Sequence, residues 1–125
     1  MTRKNILFVC VENSCRSQIA EAITNNLYWQ RCAAYSAGSN PSGIVNSLAI
    51  DVMKEIGIDI SKQKSKGFDK IKKIKFDYVI TLGCGDVCPV YPAEKKIDWK
   101  ISDPKNKPIE FFRKIRDDFI KKLRS

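Results

Sequence analysis

The opening segment constrains this chain more than any other part of it. Asn5-Ile6-Leu7-Phe8-Val9-Cys10 is a largely apolar run of strand length, and Ile19, Ala20, Ile23 and Leu27 then recur at helical spacing. Between them, Val11 to Arg16 is short and polar. The chain therefore opens as strand, loop and helix. A cysteine closes the strand, an arginine opens the helix, and the loop amides crowd around the helix N-terminus.

The same grammar repeats downstream. A second strand fits Ala33 to Ala37, followed by the turn-rich Gly38-Ser39-Asn40-Pro41-Ser42-Gly43. Val45, Leu48, Ala49, Val52, Met53 and Ile56 keep helical intervals, and Gly57 is placed to end that helix. Phe76 to Leu82 reads as a third, buried strand and Lys96 to Ile101 as a fourth. Phe112, Ile115, Phe119 and Leu123 mark a last amphipathic helix, with Pro108 where a first turn tolerates proline. Strands alternating with helices imply right-handed crossovers. The expected fold is one α/β domain over residues 1–125, a four-stranded, mainly parallel sheet with helices on both faces. Such sheets collect ligands at the carboxyl ends of their strands. The loop after the first strand, a cysteine segment after the third and an aspartate after the fourth all fall there.

Composition narrows the chemistry. Five cysteines at irregular spacing, with no export signal, argue for reduced thiols rather than a disulfide framework. Histidine is absent, and the cysteine intervals match no common zinc pattern, so no metal site is expected. Proton transfer then falls to carboxylates and thiols. The apolar run Ile6 to Cys10 is far too short for a signal peptide or a membrane span, which makes a soluble, cytoplasmic protein the expectation. The formal charge of +9 is concentrated in Lys62 to Lys75 and Arg113 to Arg124, which read as solvated helix faces. Charge alone is a weak sign of nucleic-acid binding, and that reading is disfavoured. No Gly-x4-Gly-Lys-Ser/Thr occurs, and Gly83-Cys84-Gly85 does not extend to a dinucleotide fingerprint.

In Cys10-Val11-Glu12-Asn13-Ser14-Cys15-Arg16-Ser17, the amides can converge on a tetrahedral oxyanion while Arg16 offers a planar fork to two of its oxygens. Cys10 at the centre of those dipoles is expected to be a nucleophile. Ser17 can donate a hydrogen bond to its thiolate, and Asn13 tolerates the left-handed backbone of a tight loop. Cys15 and Cys32 read as packing residues. Cys84 and Cys88, in Gly83-Cys84-Gly85-Asp86-Val87-Cys88-Pro89, are close enough in sequence to join if the glycines let the backbone bend, and a dithiol is a source of two electrons. Half of a metal site or two unrelated small residues are the plainer readings of that pair. Asp103-Pro104 starts a turn and makes Asp103 the best general-acid candidate. Glu12 is its rival, although a negative charge beside a bound oxyanion is an awkward proton donor.

Cys10-x5-Arg16-Ser17 together with Asp103-Pro104 resembles the low-molecular-weight protein tyrosine phosphatase fold family, over nearly the whole chain. Val11 to Gln18, Tyr35-Ser36-Ala37-Gly38 and Gly83 to Pro89 look like the thiol-coupled arsenate reductases of that fold. The resemblance implies that Cys10 attacks arsenate, that Arg16 and the loop amides hold its oxygens, and that Asp103 protonates the departing oxygen. It implies that Cys84 then attacks Cys10, releasing arsenite, and that Cys88 resolves the disulfide for an external reductant. Thioredoxin is the first candidate, a glutaredoxin or low-molecular-weight thiol the others, and no cofactor is bound. Asn13 and Ser36 would shape the loop through a hydrogen bond. The phosphatase branch usually carries tyrosine after Asp-Pro, whereas Lys105 stands here, so an aromatic wall for aryl esters would be missing. Phosphate-monoester hydrolysis through a Cys10 phospho-enzyme is the enzymatic alternative, with phosphate and sulfate as arsenate analogues. A redox-sensitive or anion-binding module without turnover is the non-enzymatic one.

Overall fold

The computed structural model describes residues 3–71, 75–83 and 93–124. Four strands, β1 (Lys4–Cys10), β2 (Cys32–Gly38), β3 (Phe76–Thr81) and β4 (Ala93–Asp98), form one sheet in the order β2-β1-β3-β4. All three pairings are parallel. The expected parallel α/β sheet is therefore the observed one. Its first three strands lie within about a residue of the expected positions, the tolerance normal at element ends. The fourth does not: it runs Ala93–Asp98 rather than Lys96 to Ile101. It is an edge strand whose Glu94, Lys95 and Lys96 are exposed, so no apolar run marked it, and the buried Ile101 lies beyond its end.

Three α-helices, α1 (Arg16–Leu27), α2 (Ser47–Lys54) and α3 (Ile109–Arg124), complete the frame. Ile19 and Ile23 of α1, Val52 and Met53 of α2, and Phe112, Ile115 and Phe119 of α3 bury one face of the sheet against Ile6, Phe8 and Ile80. The opposite face, with Leu7, Val9 and Val79, is covered by Ile71 and by Phe68 of a 3-10 helix, Phe68–Lys70. The three α-helices thus lie on one face and the 3-10 helix on the other. Lys62 to Lys75, expected as a helix face, is helical only at that 3-10 turn among its described residues; Arg113 to Arg124 does lie on α3.

The end of α2 is clamped to α3 by Glu55. Its carboxylate accepts from Arg113 Nη2 at 2.7 Å and from Arg116 Nη1 at 2.7 Å. Hydrogen bonds from Arg113 and then Arg116 lower its pKa from 4.5 to about 2. A carboxyl group depressed in the folded state contributes stability above its unfolded pKa and loses it as pH falls through the folded one. Glu55→Gln should therefore be less stable than the parent at neutral pH, with the difference closing between pH 4.5 and about 2. Urea midpoints across that range test it, and a difference independent of pH would show that the clamp carries no ionic contribution.

Register aligns the carboxyl ends of the strands. Cys10 pairs with Gly38, Val9 with Thr81, and Thr81 with Asp98. Successive connections leave β1 toward opposite edges, which makes the β1–β3 crevice the topological switch point where ligands bind in open parallel sheets.

Candidate active site

The loop after β1 turns its carbonyls outward. Cys10 O accepts from Ser39 N, Val11 O from Asn40 N at 2.8 Å, Glu12 O from Ser42 N at 3.1 Å, and Ser14 O from Asn46 N at 3.0 Å. Asn13 O accepts from the Gln18 side chain. With its acceptors consumed on the outside, the loop is left with N–H groups to present inward. At the start of α1, Cys15 caps the helix without a side-chain hydrogen bond and the first turn holds no acidic residue. A helix end in that condition is an anion site.

Cys10 sits at the focus, buried, with Sγ 2.8 Å from Ser17 Oγ. Ser17 Oγ in turn accepts from Asn13 Nδ2 at 2.7 Å, so its own proton is directed to the sulfur once Cys10 is a thiolate. Asn13 has φ 51, the left-handed conformation expected of it. Arg16 is buried and aimed by main chain: Nη1 donates to Leu82 O at 2.6 Å and to Ile101 O at 3.0 Å. Both Nη1 protons are thereby spent, leaving Nε and Nη2 for a ligand. Nη2 lies 3.8 Å from Asp103 Oδ2. Gly83, with φ +81, carries the end of β3 past this guanidinium, and a Cβ there would stand 3.2 Å from Nη1.

Cys10, Glu12, Arg16, Asp103 and Lys105 line a pocket of about 50 Å³. That is room for roughly three to five water-sized spheres at ~10–15 Å³ each, enough for one tetrahedral oxyanion. No aromatic side chain lines it among the described residues, as Lys105 in place of tyrosine implied. Cys15 also reaches the pocket, and burial pushes its thiol up to about 12. Cys32, also raised by burial, stands at the start of β2, the far end of that strand from the pocket. Cys84 and Cys88 lie outside the described residues. Among the described residues no cluster of three or more His, Cys, Asp or Glu is placed to hold a metal ion, and no helix is long and apolar enough to cross a membrane.

One expected contact is replaced. Asn13 and Ser36 do not bond each other: Ser36 Oγ donates to Glu21 Oε1 at 2.7 Å and lies 3.4 Å from Lys66 Nζ. Ser36 pairs with Phe8, two residues short of the loop, where the carboxylate of Glu21 is a stronger acceptor than an amide. The loop is instead braced from behind by a segment that carried no sequence signal. Gln18 Nε2 bonds Asn13 Oδ1 at 2.9 Å and Lys64 O at 2.8 Å, Lys66 N bonds Asn13 Oδ1 at 2.8 Å, and Ser65 Oγ bonds Glu12 O at 2.8 Å. Gly38 completes the brace, because a Cβ there would stand 2.4 Å from Val11 O and 2.8 Å from Asn13 N. Gly38→Ala should cost about 1–3 kcal/mol, the usual range for overpacking, and should lower activity by displacing the loop. Urea unfolding with parallel kinetics tests this, and an unchanged midpoint would remove Gly38 from the brace.

Residues 5–125 match the family described as low molecular weight phosphotyrosine protein phosphatase. Arsenate reductase 2 of Staphylococcus haemolyticus is 42% identical over 94% of this chain and 92% of its own length. The chain belongs to the arsenate reductases of this family. An arsenate reductase from Halalkalibacterium halodurans is 40% identical over 100% of this chain and 96% of its own. Among solved structures, an arsenate reductase in the phosphate binding state superposes with TM-score 0.85 at 36% identity, covering 97% of this chain and 94% of that one. The low molecular weight protein tyrosine phosphatase of T. tengcongensis superposes with TM-score 0.79 at 29% identity, covering 96% of this chain and 97% of that one. Both branches of the family thus share this frame.

Proposed function

We propose that this protein reduces arsenate to arsenite. The observation that carries the reading is the pocket itself: a buried cysteine held by Ser17 under a loop whose carbonyls are bonded elsewhere, with a pinned arginine and a rim free of aromatics among the described residues. It suits a free inorganic oxyanion better than an aryl ester. The Cys10 thiolate attacks arsenic, and Asp103 gives a proton to the oxygen that leaves as water. The Cys84 thiolate then attacks Cys10 Sγ. As the sulfur–sulfur bond forms, the sulfur–arsenic bond breaks and its electron pair reduces arsenic to the trivalent state. Cys88 displaces Cys10, leaving a Cys84–Cys88 disulfide that an external dithiol reduces. A relative from Corynebacterium glutamicum is described as a thioredoxin-dependent arsenate reductase, superposing with TM-score 0.76 at 32% identity over 98% of this chain and 61% of that one. Thioredoxin is accordingly the proposed donor, and the reducing cytoplasm the proposed compartment.

Arsenite formation with thioredoxin, thioredoxin reductase and NADPH tests the reading. The parent should turn over, while Cys84→Ser and Cys88→Ser should each stop after no more than one equivalent. Arsenite production that survives both substitutions would replace the relay by direct attack of an external thiol. No arsenite with any thiol, beside hydrolysis of an aryl phosphate, would make the protein a phosphatase.

A further inference from the structure

Among the described residues, the basic and carboxylate side chains that line the pocket cancel. It carries two cations, Arg16 and Lys105, and two carboxylates, Asp103 and Glu12. They are matched one to one: Arg16 Nη2 stands 3.8 Å from Asp103 Oδ2, and Lys105 Nζ bonds Glu12 Oε2 at 2.8 Å. A dianion entering a pocket whose cations are already paired gains less from them unless one is released to it. Asp103, 3.8 Å from Arg16 Nη2, is the general acid of the proposed reaction. Glu12 has no such role, yet it occupies the only other cation of that lining among the described residues. Its main chain is fixed, because Glu12 O accepts from both Ser42 N and Ser65 Oγ, whereas its carboxylate is about one-third exposed and free to swing outward. Lys105 is likewise anchored at its backbone, where its N–H bonds Asp103 Oδ1 at 3.0 Å, with a half-exposed side chain beyond.

We propose that Lys105 is a second substrate-binding cation and that Glu12 is its resident competitor, a carboxylate holding the place that an oxygen of the incoming oxyanion takes. The inference rests on reading the pocket as an oxyanion site. Exchange of one carboxylate for one oxyanion oxygen makes and breaks no covalent bond, and it leaves Lys105 charged throughout.

Titration calorimetry of the reduced full chain with inorganic phosphate tests it, alongside initial rates of arsenite formation. Lys105→Gln should weaken phosphate binding by roughly tenfold, the scale of one charge-assisted contact partly open to water. Glu12→Gln should tighten it by roughly three- to fivefold, by removing the competitor. In the Lys105→Gln background Glu12→Gln should then have no effect. Equal tightening in both backgrounds would mean plain repulsion by Glu12, and weaker binding in Glu12→Gln would make it a support of the loop; either overturns the proposal. A parent that makes no arsenite while phosphate binding follows this pattern would overturn the reductase reading and leave the proposal standing. Normal arsenite formation with a flat phosphate response would do the reverse.

Discussion

Cys10→Ser should reduce arsenite formation by roughly 10⁵-fold or more, the scale seen when a covalent nucleophile is removed from an otherwise intact site. The size of the effect follows from what a hydroxyl cannot do there. Serine preserves the volume and the partner at Ser17, 2.8 Å from the sulfur, so the loop keeps its shape. It offers no thiolate to attack arsenic and no sulfur for a second thiol to attack, so both the capture and the electron-transfer steps disappear. Phosphate binding should survive, because Arg16 and the loop amides, proposed to hold the oxyanion, are left in place. Arsenite assays run to a single turnover, paired with phosphate titration, separate the two. Turnover within roughly tenfold of the parent would show that the sulfur is not the attacking atom.

Arg16→Lys is expected to cost kcat/KM roughly 10²–10³-fold, the range for removing preorganised donors from an oxyanion site. The substitution keeps the charge and loses the geometry. Arg16 spends Nη1 on two main-chain oxygens, Leu82 O and Ile101 O, and keeps the rest of its fork for the ligand. A single ammonium cannot do both, and any solution it finds leaves buried acceptors without a donor, at about 1–3 kcal/mol for each. The variant should therefore lose stability as well as activity. Steady-state kinetics and urea midpoints measure the two together. An activity loss with an unchanged midpoint would mean that the carbonyl contacts aim the guanidinium without stabilising the fold.

The difference between what the sequence announces and what it conceals has a physical pattern. Cys10 and Arg16 are legible because strand end, loop and helix start are neighbours in sequence, so one local pattern carries both conformation and chemistry. The parallel sheet follows from strands that alternate with helices, and the left-handed Asn13 from a residue type suited to that backbone. Edge strand β4 was misplaced by three residues because exposed charges gave it no apolar pattern, while Ile101 beyond it did. The brace formed by Gln18, Lys64, Ser65 and Lys66 is concealed for another reason. It bonds the loop through main-chain atoms and across more than forty residues of sequence, and main-chain atoms have no residue type to read. Ser36 shows the same limit, since its hydroxyl goes to Glu21 on α1, a partner fixed by packing. The pairing of Glu12 with Lys105 joins residues from opposite ends of the chain, and neither alone signals the other.

The span of those anchors bears on how the enzyme comes into being. Arg16 is fixed by carbonyls 66 and 85 residues further along, so the guanidinium has no seat until most of the polypeptide has left the ribosome. An N-terminal fragment that contains the whole Cys10-to-Arg16 loop still lacks both of the carbonyls that aim it. Loop closure over such distances is slow compared with local helix formation, so assembly of the pocket belongs to the last events of folding. Until then Arg16 is not aimed over Cys10, and the pocket exists only in a molecule complete enough to use it.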